Sequence, residues 1–412
     1  MANPPRRASP SRQIPPLPVA IMILCYVLFG VYTFYWHRTT MGYLGDLEIY
    51  IRAMDSVRAG HSAYLPYGIG QSFVYSPVAL SLLTTLSLTG EISGFWIAIS
   101  VIGYGLALTL LLKLMVFPES WQRILALILM AALAPFWETL YVGQINAIVV
   151  LCLAACLYYF DREQPTLSGI FLALAILLKT SPVILVIYFV ALRQLRVLVA
   201  ATITGIGLSI LSLTQFGLTP FFEFSQVVGR IGTENTASSW NISVVSVTTR
   251  FFHAMIIPID PDTIGSVYKL IFVGITLALA GYVWFRSAHH RDKSARRILF
   301  SLFVILMTLS SPLVWYHHST FLVIPFVLAL SSSFPWATAS LLIMQIERWA
   351  FNAVALYVEH FSAYDINLGR PTLAAGLPNL IGQLILTGII VGDYIRLSHQ
   401  PVISNAVLID QG

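Results

Sequence analysis

The sequence predicts an all-α integral membrane protein, a multi-spanning helical bundle of about 12 spans with interfacial helices in its first outer loop. Three observations predict it. Of the 412 residues, 57% are hydrophobic and only 10% charged, with a mean hydropathy of +0.80, too few charges to coat a water-soluble core. Apolar runs of roughly 15 to 25 residues recur from Leu17 to Ile395, long enough or nearly so to cross a ~30 Å hydrocarbon layer as helices, and no ~10-residue alternation marks barrel strands. The basic residues gather between these runs rather than along one face. The net charge of +5 therefore indicates loops retained in the cytoplasm and no nucleic-acid partner.

Taken in order, residues 1–16 are rich in Pro, Arg and Ser and read as a disordered cytoplasmic N-terminus. Arg6, Arg7 and Arg12 precede the first apolar run and no small-residue cleavage site follows it, so 17–36 reads as a retained signal anchor that delivers the chain outside. The first outer loop, 37–93, holds Leu47, Tyr50, Met54 and Val57 at helical spacing, the pattern of an amphipathic surface helix. It also holds a short apolar segment, 77–88, opened by Pro77 and placed at the interface by the positive-inside rule. Spans then follow at 94–115, 124–138, 145–160, 166–180, 182–193 and 197–217, which put Lys113, Arg123, Arg162, Arg193 and Arg196 inside.

A long outer loop, 218–263, precedes the span 265–285, which leads into Arg286, Arg291, Lys293, Arg296 and Arg297, the strongest cytoplasmic mark in the chain. The spans 298–310, 318–333, 336–357 and 373–395 return it to Arg396 and a cytoplasmic tail, 397–412, leaving 17–396 as one transmembrane domain of a plasma (inner) membrane protein. Inner loops are short and basic; outer segments are longer and carry acids and aromatics. A working site has room only outside.

Soluble-type nucleotide binding and zinc hydrolysis have no foothold, because no phosphate-binding glycine loop, GxSxG or HExxH occurs. Cys25, Cys152 and Cys156 lie inside apolar runs as small hydrophobes and offer neither a disulfide framework nor a metal knuckle. The site is sought among outer-face polar residues. Asp46, directly outside the first span, is either the N-cap of the surface helix or a carboxylate able to take a proton from a sugar hydroxyl, with Glu48 beside it. Tyr75, in Phe73-Val74-Tyr75-Ser76-Pro77, is a belt aromatic or a substrate contact. Gln144 and Asn146, in Gly143-Gln144-Ile145-Asn146, either bind sugar or phosphate oxygens or satisfy a turn between spans.

Lys179, in Leu178-Lys179-Thr180-Ser181-Pro182, opposes the positive-inside bias, which asks for an anionic partner such as a phosphate unless the side chain snorkels to headgroups. Asn241 and Arg250 sit in the long outer loop, where sequence does not separate binding from packing. Trp315, His317 and His318, in Ser311-Pro312-Leu313-Val314-Trp315-Tyr316-His317-His318, begin a span at the outer boundary. Adjacent histidines diverge on a helix and no carboxylate follows at i+4, so they suit hydrogen bonds to a phosphate better than a metal.

These motifs, in this order, resemble the polyprenol-phosphate-mannose-dependent α-1,2-mannosyltransferase family of C-type glycosyltransferases, which includes enzymes building mycobacterial phosphatidylinositol mannosides. The likeness runs from about Asp46 to the paired histidines. It implies membrane helices with interfacial helices in the first outer loop, transfer of a hexose such as mannose from a polyprenyl-phosphate sugar donor to a lipid or glycan acceptor outside, and inversion at the anomeric carbon. It also implies Asp46 as general base, Lys179, His317 and His318 on the donor phosphate, and no cofactor or obligatory metal. The other class to weigh is a transporter or flippase, whose polar sites gather near the midplane rather than at one face.

Overall fold

A computed structural model of the chain describes residues 45–64, 73–86, 92–230, 241–255, 257, 260–286, 292–346 and 376–398. The expected first span at 17–36, the two termini, and Glu347 and Arg348 of the expected span 336–357 lie outside the described residues. Every regular element among the described residues is helical.

Helix α1, Gly45–Arg58, buries Leu47, Tyr50, Ala53 and Met54 and turns Glu48, Arg52 and Asp55 outward, as its apolar spacing predicts. Helix α2, Pro77–Leu86, starts on Ser76, whose hydroxyl accepts from the Ala79 N–H (3.1 Å) and donates to the Leu177 carbonyl. The chain continues through α3 (Ile92–Leu114), α4 (Ser120–Ala131), α5 (Ala134–Val142), α6 (Asn146–Asp161), α7 (Pro165–Leu178), a 3₁₀ turn (Ser181–Val183) and α8 (Ile184–Ala191). Next come α9 (Leu195–Phe216), α10 (Thr219–Arg230), α11 (Val244–Ala254), α12 (Pro261–Phe285) and α13 (Lys293–Leu309). A 3₁₀ segment (Tyr316–Leu322), α14 (Val323–Ser332), α15 (Phe334–Ile346) and α16 (Leu377–Ser398) complete it.

Five of these are long and apolar enough to cross a membrane by themselves: Ile92–Leu114, Ser120–Val142 (α4 and α5, bent ahead of Pro135), Leu195–Phe216, Thr263–Phe285 and Leu377–Ser398. The others expected as spans are shorter. With 16 and 14 residues, α6 and α7 rise only about 24 and 21 Å, because Pro165 and Pro182 punctuate the chain around them. The expected outer loop 218–263 is not irregular throughout: α10 and α11 form in it, α10 exposing Phe222 and Val228, and α11 exposing Phe251 while burying Val245 and Val247.

The short helices are buried by their neighbours. Helix α6 packs between α3 and α7, and α7 packs on α9. A Cβ on Gly169 would stand 2.3 Å from the Val197 carbonyl oxygen, so α7 and α9 approach at a distance only glycine permits. At one end of the bundle Asp161, closing α6, receives Arg297 of α13 in a two-pronged ion pair (Nε–Oδ1 2.7 Å, Nη2–Oδ2 3.0 Å), and Arg297 also donates to the Leu114 carbonyl at the end of α3. At the other end the C-termini of α5 and α7, the N-terminus of α6, α1 and the 3₁₀ segment Tyr316–Leu322 converge.

Candidate active site

The convergence starts from one turn. Helix α5 ends in left-handed Gly143 (φ +75°), whose N–H returns to Leu140 and whose carbonyl accepts the Trp96 indole N–H at 2.8 Å. Its missing Cβ is what lets α1 dock: a methyl there would lie 2.6 Å from Leu47 Cβ. Gly143→Ala is therefore expected to cost about 1–3 kcal/mol through the strained φ and the displaced helix. Read as a lowered melting temperature in detergent with disproportionate loss of transfer, it tests whether this turn seats Asp46. Unchanged activity would show that α1 docks independently of it.

Beyond the glycine, Gln144 joins three elements. Its Nε2 donates to Asp46 Oδ2 at 2.8 Å, and its Oε1 accepts from Tyr75 at 2.7 Å and from Tyr50 at 3.1 Å. The two phenols are 2.8 Å apart and their rings meet edge to face. Burial and the nearby Asp46 charge raise both phenol pKa values, so Tyr50 and Tyr75 remain protonated donors. Burial also raises the Asp46 carboxyl, against opposing contributions from the Gln144 hydrogen bond and the Lys179 charge. A carboxylate so placed is a stronger base than an exposed aspartate.

Lys179 follows α7 in extended backbone (φ −152°, ψ 132°) ahead of the Ser181-Pro182 turn. Its Nζ donates to Asn146 Oδ1 at 2.7 Å, and Asn146, fully buried, passes the link on through Nδ2 to the His317 carbonyl at 3.0 Å. The ammonium lies 5.5 Å from the Phe321 ring centroid, and no carboxylate is in ion-pair contact with it among the described residues. The His317 and His318 rings stand edge to face at 4.7 Å. His318 Nδ1 accepts the Trp315 N–H at 3.3 Å, which leaves Nε2 as the donor in the neutral ring. His317 is buried with neither ring nitrogen hydrogen-bonded, and its Nδ1 is 4.0 Å from Glu138 Oε1. Lys179 thus lies within electrostatic reach of the Asp46 carboxylate on one side and of the two imidazoles on the other, with no carboxylate in ion-pair contact with it among the described residues.

Three expected residues stand elsewhere. Glu48 lies on the exposed face of α1, paired with Arg52. Asn241 and Arg250 form a clamp. Asn241 donates to the Pro312 carbonyl (3.0 Å) and accepts from the Val314 and Ser243 N–H groups (3.0 Å each), and Arg250 donates to the Asn241 carbonyl (2.9 Å). Backbone pairing of Ile242 N–H with the Val314 carbonyl (2.8 Å) completes it. The clamp holds the loop that presents Trp315, His317 and His318. Sequence reasoning missed Tyr50, Glu138, and the Thr139–Thr320 pair (3.0 Å) beneath His317. An acid within an apolar run was the available signal for Glu138.

A family model for glycosyltransferase family 87 matches residues 73–312, more than half the chain. The chain belongs to glycosyltransferase family 87. This family 87 member is similar to a polyprenol-phosphate-mannose-dependent alpha-(1-2)-phosphatidylinositol pentamannoside mannosyltransferase of Mycobacterium tuberculosis, 26% identical over 190 residues, 46% of this chain and 41% of that protein. The protein of the same name from Mycolicibacterium smegmatis is 24% identical over 303 residues, 68% of this chain and 67% of the relative. The chain is thus a helical membrane glycosyltransferase. Of the site residues, Tyr75, Gln144, Asn146, Lys179, Asn241 and Arg250 fall within the matched segment; Asp46, Trp315 and the histidines flank it.

Proposed function

We propose that the enzyme transfers a hexose, mannose by preference, from a polyprenyl-phosphate carrier to a lipid or glycan acceptor on the outer side of the membrane, with inversion and without cofactor or metal. The observation that carries it is Lys179, whose amine is hydrogen-bonded to neutral Asn146, with no carboxylate in ion-pair contact among the described residues, within electrostatic reach of Asp46 and two imidazoles. Such a pocket suits a ligand that brings its own negative charge next to a hydroxyl that must lose a proton.

In this reading the acceptor hydroxyl attacks the anomeric carbon while Asp46 takes its proton. The bond from that carbon to the phosphate oxygen breaks with its electron pair, and Lys179, His317 and His318 stabilise the charge on the departing polyprenyl phosphate. Tyr75, Gln144, Asn146 and Trp315 orient sugar or phosphate. Beside the site, a groove of about 330 Å³ is lined wholly by apolar and weakly polar side chains, among them Leu83, Trp96, Ile145, Ile148, Leu174 and Leu178, which suits a prenyl chain. The names of the two mycobacterial relatives support the same donor. The topology that goes with it has about 12 spans in one unit, 17–396, cytoplasmic termini and an outward site, by the positive-inside rule.

The experiment has two arms. Membranes carrying the chain, incubated with radiolabelled polyprenyl-phosphate mannose, are expected to release labelled glycolipid or glycan; transfer from a nucleotide sugar but not from the lipid donor overturns the donor assignment. A reporter fused after Thr233 is expected to be active only outside and one after Arg291 only in the cytoplasm. Reversed signals overturn the outward site.

A further inference from the structure

We propose that the basic end of the bundle carries a second, non-catalytic site that binds the headgroup of an anionic phospholipid. A pocket of about 530 Å³ opens there, lined among others by Phe160, Glu163, Arg193, Leu195, Arg196 and Arg296. Helix α6 runs its 16 residues between the two ends, which separates this pocket from Asn146 by about 24 Å.

Three arginines from three elements meet in it: Arg193 after α8, Arg196 in the first turn of α9 and Arg296 near the start of α13. Arg193 and Arg196 make no ion pair or side-chain hydrogen bond among the described residues, and the pocket's acid, Glu163, is engaged by Lys293 at 3.8 Å. Arg196 and Arg296 sit at helix N-termini, where the backbone dipole disfavours cations. Glu163 (φ 61°) and Arg193 (φ 57°) are the non-glycine residues with positive φ among those described, and both line this one pocket. Each follows a helix at a position that ordinarily takes glycine; the N–H of Gln194, next after Arg193, returns to the Phe189 carbonyl at 2.9 Å. Glycine would suit the two left-handed positions better, and an anion would suit the two helix N-termini at Arg196 and Arg296. A phosphate matches the paired donors of guanidinium groups and offsets their mutual repulsion.

The surroundings point to a lipid as the source of that phosphate. Arg193 stacks on the Trp284 ring at 4.3 Å, and Tyr282, Trp284 and Phe285, all exposed at the end of α12, form the aromatic belt of a membrane interface at the same level. From the pocket rim, Leu195, Val199, Ile203, Ile206 and Ile210 are all exposed and recur every three or four residues on a single face of α9. That ridge is about 22 Å long, the reach of an extended acyl chain. The headgroup occupies the arginine pocket and the chains lie along the ridge, in the leaflet that the positive-inside rule assigns to the cytoplasm.

The test is thermal unfolding of the full chain in neutral detergent, titrated with phosphatidylglycerol, phosphatidylcholine or inorganic phosphate. Phosphatidylglycerol is expected to raise the melting temperature of the wild type by several degrees, and the other two to leave it unchanged. Arg193→Gly with Arg196→Gln should abolish the phosphatidylglycerol shift while melting normally without lipid, because glycine suits the left-handed position. Should that pair fail to fold, Arg196→Gln alone is expected to require at least ~3-fold more phosphatidylglycerol for half the shift. An equal shift in variant and wild type, or the same shift from inorganic phosphate or phosphatidylcholine, overturns the lipid site.

Discussion

Asp46→Asn is expected to lower sugar transfer by at least ~10²-fold while folded yield and binding of the lipid donor stay near wild type. A sugar hydroxyl is a poor nucleophile until its proton is removed as the new bond forms, and loss of a positioned base costs ~10² to 10⁴ in rate. The amide keeps the size of the side chain and its Oδ1 can still accept from Gln144 Nε2, so charge and basicity are what change. Glu48→Gln and Asp55→Asn are the controls, since both acids lie on the exposed face of α1 and pair with arginines there. Transfer within about threefold of wild type in Asp46→Asn would remove it as the base.

The pH profile gives a second reading of the same residue. Burial raises the Asp46 carboxyl pKa. A base works only when deprotonated, so transfer should fall as pH drops through that raised value, at a higher pH than an exposed aspartate near 4 would give. An acid limb in the ordinary range would mean that the carboxyl is more hydrated than its setting here.

Lys179→Met is expected to reduce donor use by ~10² to 10³-fold, the loss typical when one stabiliser of a developing negative charge is removed. The substitution keeps much of the apolar stem against Phe321 and leaves no ion-paired carboxylate stranded, but it takes a donor from the buried Asn146 Oδ1, so the melting temperature should fall by the few degrees that about 1–3 kcal/mol implies, with the folded yield retained. It should also shift the acid limb upward, because the Lys179 charge lowers the Asp46 pKa and its removal lets burial act unopposed. This paired outcome separates a phosphate-binding lysine from a structural one, whose loss would lower folded yield and leave the limb in place. His318→Ala should weaken donor use without moving the limb as far.

Much of this protein is written locally in its sequence. Membrane solvation reads each stretch by its own hydrophobicity and flanking charge, so the helices Ile92–Leu114, Leu195–Phe216 and Leu377–Ser398 were visible without any partner. The apolar spacing of Leu47, Tyr50 and Met54 likewise announced α1 and its buried face. Motifs at the ends of apolar runs marked Asp46, Gln144, Asn146, Lys179 and the histidines as polar groups held near a boundary. Tertiary packing decided what they do together. Gln144 lies 98 residues from Asp46 and 69 from Tyr75, and Asn146 lies 171 from His317, so their hydrogen bonds exist only because short, proline-punctuated helices dock end to end against longer ones. The same packing turned Asn241 and Arg250 into a clamp on the Pro312 loop, pointed Glu48 away, and brought Glu138 to His317. Hydrophobicity is a property of each segment and so survives in one dimension, whereas a hydrogen bond depends on ångström distances that only the packed bundle sets.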